Sequence, residues 1–179
     1  MAQIITVPSE ILRKPTRAVT TLDKRVINVI IDMIDTLKKT TNPEGVGLAA
    51  PQIGENLSIF LARPEPKGEI FIFINPEIIK YSQRMTHPTG KKGVYEGCLS
   101  IPGHYAPVKR SMSVTVKFQT TDLRSWILVD RTEVFTGFIA HVIQHEMDHL
   151  NGILFIDRVL AQQAKLYKVE GKEWVEVGI

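Results

Sequence analysis

Two histidines stand four residues apart in His145-Glu146-Met147-Asp148-His149, inside a run that is otherwise mostly apolar. On a helix, positions i and i+4 share a face, so the two imidazoles converge. The surrounding pattern predicts that helix over residues 136–151, with Asn151-Gly152 as its C-terminal stop. Phe138, Val142, His145 and His149 fall on one stripe, and Ile139, Ile143, Met147 and Leu150 on a second beside it. A helix apolar around most of its circumference must be buried. Buried imidazoles need partners, and a shared metal ion supplies one. Glu146 projects about 100° around the helix from His145. It does not easily chelate with both histidines, but it reaches a water beside the same ion. Taken alone, the motif leaves two ordinary core or surface histidines as the alternative.

Two histidines leave a catalytic metal site one protein ligand short. Downstream of His149 there is no further histidine, only Asp157, Glu170, Glu173 and Glu176. Upstream, the chain's single cysteine lies in Glu96-Gly97-Cys98-Leu99-Ser100. Gly97 lets the backbone bend tightly or approach a neighbour closely. On its own Cys98 reads as a packed core cysteine. Beside an incomplete pair of histidines it reads as a thiolate ligand. One cysteine also excludes an internal disulfide framework and fits a reducing compartment.

A third segment is unusual: Gly45-Val46-Gly47-Leu48-Ala49-Ala50-Pro51-Gln52. It has no third glycine in phosphate-loop position and follows a helix rather than a strand, which speaks against a dinucleotide site. Its small residues let the backbone approach a ligand, and Gln52 adds a neutral amide donor. Taken alone, the segment reads as a turn packed on the preceding helix.

The remaining pattern sets the fold class. Residues 23–40 read as an amphipathic helix, with Val26, Val29, Ile30, Met33, Ile34 and Leu37 on one face, Thr21 or Asp23 as cap, and Pro43 as stop. Residues 57–62, 69–75, 78–83, 113–119 and 125–130 read as strands, and 173–177 as a last one. This predicts one α+β domain over residues 1–179 with mostly antiparallel sheet. Hydrophobic residues make up 44% and charged residues 23%, which excludes disorder for the bulk of the chain. The longest stretches without a charged residue, 97–108 and 134–145, each contain histidine and are far short of a membrane span. The first residues lack the basic and apolar regions of a signal peptide, so none is expected. The net charge is +3, with positives gathered at 13–25 and 84–92 and at Lys109 and Arg110. Neither group is a continuous run or interleaved with aromatics, so solvated surface is favoured over a nucleic-acid site. A weak attraction to an RNA-rich surface stays open.

Together and in this order, the three segments resemble peptide deformylase of the bacterial type. The family pattern is G-x-G-x-A-A-x-Q, then E-G-C-L-S, then Q-H-E-x-D-H, matched here by residues 45–52, 96–100 and 144–149. Leu12-Arg13-Lys14 and Ile101-Pro102-Gly103-His104-Tyr105 are also similar, and the likeness spans residues 5–158. The resemblance implies an α+β fold whose metal helix packs among antiparallel sheets. It implies Cys98, His145 and His149 as metal ligands and Glu146 as the acid/base. Gln52 and the backbone N–H of Leu99 would hold the oxyanion. Gly47 would pair with the substrate backbone, Gly97 would lie in the same site, and Val46, Val94, Phe138 and Val142 would surround a methionine side chain. Asp148 and Arg110 are candidates to support the ligands.

The activity implied is removal of the N-formyl group from the initiator methionine of new polypeptides, releasing formate. The cofactor implied is one divalent ion, usually Fe(II), with Zn, Ni or Co able to replace it. The implied setting is cytoplasmic, with transient ribosome proximity and neither membrane nor specific nucleic acid as partner. Some family members end in a long basic helix that contacts the ribosome. This chain ends on the strand-like Trp174-Val175-Glu176-Val177, so that mode of contact is not expected. Two other functions fit parts of the pattern. A metallopeptidase cutting internal peptide bonds would share the helix, but a cysteine ligand before it is foreign to such enzymes. A metal-stabilised peptide-binding module would have no use for Glu146.

Overall fold

A computed structural model describes residues 2–41, 44–65, 67–89 and 93–178. In chain order the elements are α1 (Lys24–Lys39), β1 (Gly47–Ala49), β2 (Ile59–Ala62), β3 (Phe71–Tyr81), β4 (Glu96–Cys98), β5 (Ile101–Ala106), β6 (Ser113–Thr120) and β7 (Val129–Thr136). There follow α2 (Phe138–Leu150), α3 (Phe155–Ala161), β8 (Leu166–Glu170) and β9 (Glu173–Val177). Short 3-10 turns occupy Glu10–Arg13 and Ala50–Ile53. The expected α+β class holds. Strands β1-β2-β3-β6-β7 form one sheet and β4-β5-β8-β9 a second, both wholly antiparallel.

The sequence of β2 shows how the layers form. All four residues of Ile59-Phe60-Leu61-Ala62 are buried. Alternation sends Ile59 and Leu61 to the α1 side, against Ile30, Met33 and Leu37. Phe60 and Ala62 face the other way, against Val142 and Ile143 of α2. The first sheet therefore carries a helix on each face. The other side of α2 meets β4, where Cys98 approaches His149 and Glu96 approaches His145. The chemistry-bearing helix lies between the two sheets.

Helix ends follow their local chemistry. Asp23 caps α1 by accepting the Val26 N–H at 2.9 Å. Lys38 and Lys39 sit in its last turn. Pro43, the expected stop, lies outside the described residues. At α2, Gly137 has φ +70, which turns the chain out of β7 into the helix. Past its end Gly152 has φ +71, and a Cβ there would meet the Arg13 carbonyl at 2.5 Å. No helix among the described residues is long and apolar enough to cross a membrane.

Several strand expectations need correction. The two segments 69–75 and 78–83 form the single strand β3. Its ladder with β6 is interrupted between Ile74 and Glu77, where Asn75 takes φ +49 and Pro76 supplies no N–H. Asn75 is held there by bonds with the Val19 N–H and carbonyl, at 2.7 and 2.8 Å. The segment 125–130 is mostly not strand. Asp122 accepts the N–H groups of Arg124 and Ser125 at 2.7 and 2.6 Å, closing a turn. The strand begins only at Val129. Gly97 lies within β4, and the bend comes after the cysteine, at Leu99 and Ser100. The short elements β1, β4, β5, β8 and α3 were not expected.

Candidate active site

α2 presents His145, Glu146 and His149 from its buried face, and β4 presents Cys98. One ligand atom from each of Cys98, His145 and His149 lies within 4.8 Å of the other two. Cys98 Sγ is 3.2 Å from His149 Nε2. Thiolate and imidazole ligands around one tetrahedral ion stand about 3.3–3.6 Å apart, from bond lengths of about 2.0–2.3 Å. The donor set therefore fits a divalent ion. Glu146 Oε2 is buried with no hydrogen-bond partner among the described residues, as expected of a group that faces a site rather than the core.

A buried network orients the set. His145 Nδ1 donates to Glu96 Oε1 at 2.7 Å, which leaves Nε2 as the nitrogen available to an ion. Glu96 also accepts from Arg110 Nη2 and Nε, at 2.6 and 2.8 Å, and its Oε2 is 2.8 Å from His141 Nε2. Arg110 Nη1 donates to Asp148 at 2.7 Å, and Arg158 closes on the same carboxylate. Asp148 and Arg110 thus reach His145 through Glu96. Gln144 fastens α2 to the chain entering β6, exchanging bonds with the Ser111 N–H and carbonyl at 3.0 and 2.9 Å.

The electrostatics follow from burial and neighbours. Burial favours the neutral form of Glu96, but the charges of Arg110 and His145 outweigh it and hold the carboxyl well below the usual range. Burial opposes a proton on His145, yet the Glu96 carboxylate raises it well above the usual imidazole. Burial, then the charge of His145, keeps His149 well below it. Glu146 is pushed by burial up to about 7, against the pull of His145. A carboxyl tuned to neutrality can both accept and return a proton.

One cavity gathers the sequence-predicted residues, with His149 just behind it. Val46, Gly47 and Gln52 line it from β1 and the turn that follows. Val94, Gly97, Cys98 and Leu99 line it from around β4, and Phe138, Val142, His145 and Glu146 from α2. Val142 is deep, whereas Val94 and Phe138, at 40% and 38% exposure, stand at the rim. Gln52 Oε1 accepts the Ala49 N–H at 2.8 Å, while Nε2 points toward Ser100 Oγ and Cys98 Sγ, at 3.2 and 3.7 Å. A Cβ on Gly47 would run into the Glu146 carboxylate. Both β1 and β4 are edge strands of their sheets.

Comparison with known proteins bears directly on this arrangement. The family model described as Polypeptide deformylase matches residues 1–165. The chain belongs to the polypeptide deformylase family. It is 36% identical over 178 residues to the peptide deformylase of Desulfotalea psychrophila, covering 96% of this chain and 95% of that one. The crystal structure of the Thermotoga maritima peptide deformylase matches with a TM-score of 0.74 at 35% identity, over 88% of this chain and 97% of that one. A Synechococcus elongatus peptide deformylase, solved in complex with actinonin, matches with a TM-score of 0.75 at 33% identity, over 88% and 78% of the two chains.

Within this deformylase framework, three site residues escaped the sequence reading. Glu96 was visible only as part of a motif, although its burial beside Arg110 makes it the hub of the network. His141 lies one turn before His145 on the helix and could have been found by that spacing. Arg63 carries no local signal. Its guanidinium is buried, donates to the Gly45 carbonyl at 3.0 Å and stands 3.6 Å from the Glu44 carboxylate, holding the approach to β1.

Proposed function

We propose that this chain removes the N-formyl group from the initiator methionine of nascent peptides and releases formate, using one divalent ion held by Cys98, His145 and His149. The observation that carries the reading is the convergence of those three donors with Glu146 on a single cavity, in a chain of the deformylase family. When bound there, a divalent ion supplies Lewis acidity, which makes water a competent nucleophile near neutral pH and polarises a carbonyl.

The chain's own residues would do the rest. Glu146 takes the proton of the attacking water and returns it to the leaving amine. Gln52 Nε2 and the Leu99 N–H donate to the formyl oxygen as it gains charge. The edges β1 and β4 flank the cavity, so an extended peptide would pair with their backbone through Gly47 and Gly97. The methionine side chain would lie among Val46, Val94, Phe138 and Val142, apolar neighbours for a flexible apolar group.

We further propose Fe(II) as the resident ion, with Zn, Ni or Co able to take its place. Mixed thiolate and imidazole donors suit all four, so ligand type does not choose among them. With Fe(II), activity is lost in air and declines more slowly after exchange for Ni(II); equal air stability of the two forms would contradict Fe(II). The proposal extends to residues 1–179 acting as one catalytic domain, and to a cytoplasmic enzyme meeting its peptides close to the ribosome. The lone cysteine and mild positive charge support that setting.

The test is formate release from formyl-Met-Ala-Ala by the Ni(II)-loaded chain, beside cleavage of an unformylated peptide of ten residues. Formate release without internal cleavage supports the proposal. Internal cleavage without formate would replace it with the metallopeptidase reading.

A further inference from the structure

β7 is the last strand of the first sheet, at the edge opposite β1. It runs over eight residues, Val129-Asp130-Arg131-Thr132-Glu133-Val134-Phe135-Thr136, and all but Phe135 are exposed. An uncovered edge of that length is a template for another strand. Proteins block such edges with lysines, a proline or a bulge. β7 contains neither lysine nor proline, and its ladder with β6 runs without a shift from Val129 to Thr136. That ladder sets Val116 opposite Glu133 and Phe118 opposite Arg131. Opposed residues point to the same side of a sheet, so Arg131 and Glu133 share one face. Among the described residues neither forms an ion pair. Val134, on the other face, is 66% exposed, and Ile127, just before the strand, 65%.

We propose that β7 docks a second copy of this chain, strand against antiparallel strand, about a two-fold axis at Thr132, so that two five-stranded sheets become one. The charges choose the register. Partners in an antiparallel pair share a face, so a two-fold axis passes through one residue and its own copy. An axis at Asp130, Arg131 or Glu133 sets a charge directly against its like, which is destabilising. An axis at Val134 sets Glu133 against the partner's Phe135 and leaves Arg131 beyond the partner's strand, at Gly137. At Thr132, Arg131 meets the partner's Glu133 and Glu133 meets the partner's Arg131. Val129 then lies against the partner's Phe135, and two apolar edges close together. The strand is thus complementary to itself in one register and repelled in its neighbours. One strand from each copy buries less than the about 1,600 Å² of a standard interface, so the dimer is reversible. β1, which flanks the cavity, lies at the opposite edge of the sheet and stays open.

The Ni(II)-loaded full chain is followed by analytical ultracentrifugation from about 5 to about 500 μM. Wild type is expected to pass from monomer to dimer across that range, and about 1 M salt should shift it back. Arg131→Glu and Glu133→Arg each place like charges opposite one another on both sides of the axis. Each should weaken association by about tenfold or more. Mixed in equal amounts, the two variants should pair with each other, because every charge then meets its opposite. The variant carrying both exchanges should dimerise by itself. Wild type that stays monomeric throughout would overturn the proposal, as would single variants that associate as wild type does. Variants that fail alone and fail together would overturn it too. Should a charge variant fold poorly, a thiol reads the same axis. Thr132→Cys meets its own copy across the axis and should give a disulfide-linked dimer in oxidised glutathione. Asp130→Cys, about 14 Å from its own copy in this register, should not. Equal yields of linked dimer, or none from Thr132→Cys, would contradict the axis. Association is read without substrate, so failure of the deformylation reading would leave this result standing.

Discussion

His145 Nδ1 donates to Glu96 Oε1 at 2.7 Å, between two side chains from different layers of the fold. The bond commits one nitrogen of the imidazole and aims the other at Cys98 and His149. Glu96 can do this because Arg110 grips it through two nitrogens, at 2.6 and 2.8 Å. A lone carboxylate at this depth would otherwise be protonated.

Removing the carboxylate charge should therefore loosen the metal. Glu96→Gln is expected to weaken retention of the ion by about 10–100-fold, measured by competition with a chromogenic chelator. Glu96→Ala also strips Arg110 of its main partner and should destabilise the fold by about 3–5 kcal/mol, measured by denaturant unfolding. Retention unchanged in both variants would mean that the network is only structural.

Gly47 should tolerate no side chain. A methyl group there enters the space of the Glu146 carboxylate and must displace it. Gly47→Ala is expected to keep its fold and its metal yet lose about a hundredfold in formate release. Full activity in that variant would show that Glu146 works from another position.

Gln52 performs two tasks with opposite ends of one amide. Its oxygen fastens the Ala49 N–H at 2.8 Å, and its nitrogen faces the cavity side. Gln52→Ala removes both, whereas Gln52→Glu keeps an acceptor and removes the donor. Both should lower kcat by about 10²–10³, with Gln52→Glu retaining more stability. A Gln52→Glu enzyme with normal kcat would exclude Gln52 as an oxyanion donor.

The buried acid should also show itself in the stability of the metal-stripped protein. Burial raises Glu146 from 4.5 to about 7, so the folded chain keeps a proton that the unfolded chain releases. Stability then falls as pH rises between those values and stays lower above them. The penalty is on the order of 3 kcal/mol. Metal-stripped Glu146→Gln should accordingly outlast metal-stripped wild type at pH 8 in thermal unfolding, with the gap closing below pH 4.5. A gap that ignores pH would contradict the shift.

The most legible parts of the sequence were those with a period or a rare residue type. α1 and α2 announce themselves by apolar spacing, and the single cysteine stands out once two histidines lack a third ligand. The second sheet was far less legible. β4 has three residues, and β5 contains Pro102 and Gly103, so neither offers the alternation that marks a strand. Their pairing is fixed by long-range contacts with β8 and by the packing of Cys98, Ile101 and Ala106 around Phe155. The turn at Asp122 was hidden because Trp126, Ile127 and Leu128 extend the apolar look of the strand backwards. Arg63 and His141 were missed for a related reason. A buried charge or imidazole is explained by its partners, and those lie far away in sequence.

The most direct test measures metal content and formate release on the same samples of wild type and Glu146→Ala, both purified without oxygen and loaded with Ni(II). The account predicts one ion per chain in each protein, with rapid release of formate from formyl-Met-Ala-Ala in wild type and a loss of about 10²–10⁴ in the variant. Equal release by the two proteins would contradict the role of Glu146. Loss of the ion from Glu146→Ala would make Glu146 a ligand and contradict the three-donor centre of Cys98, His145 and His149.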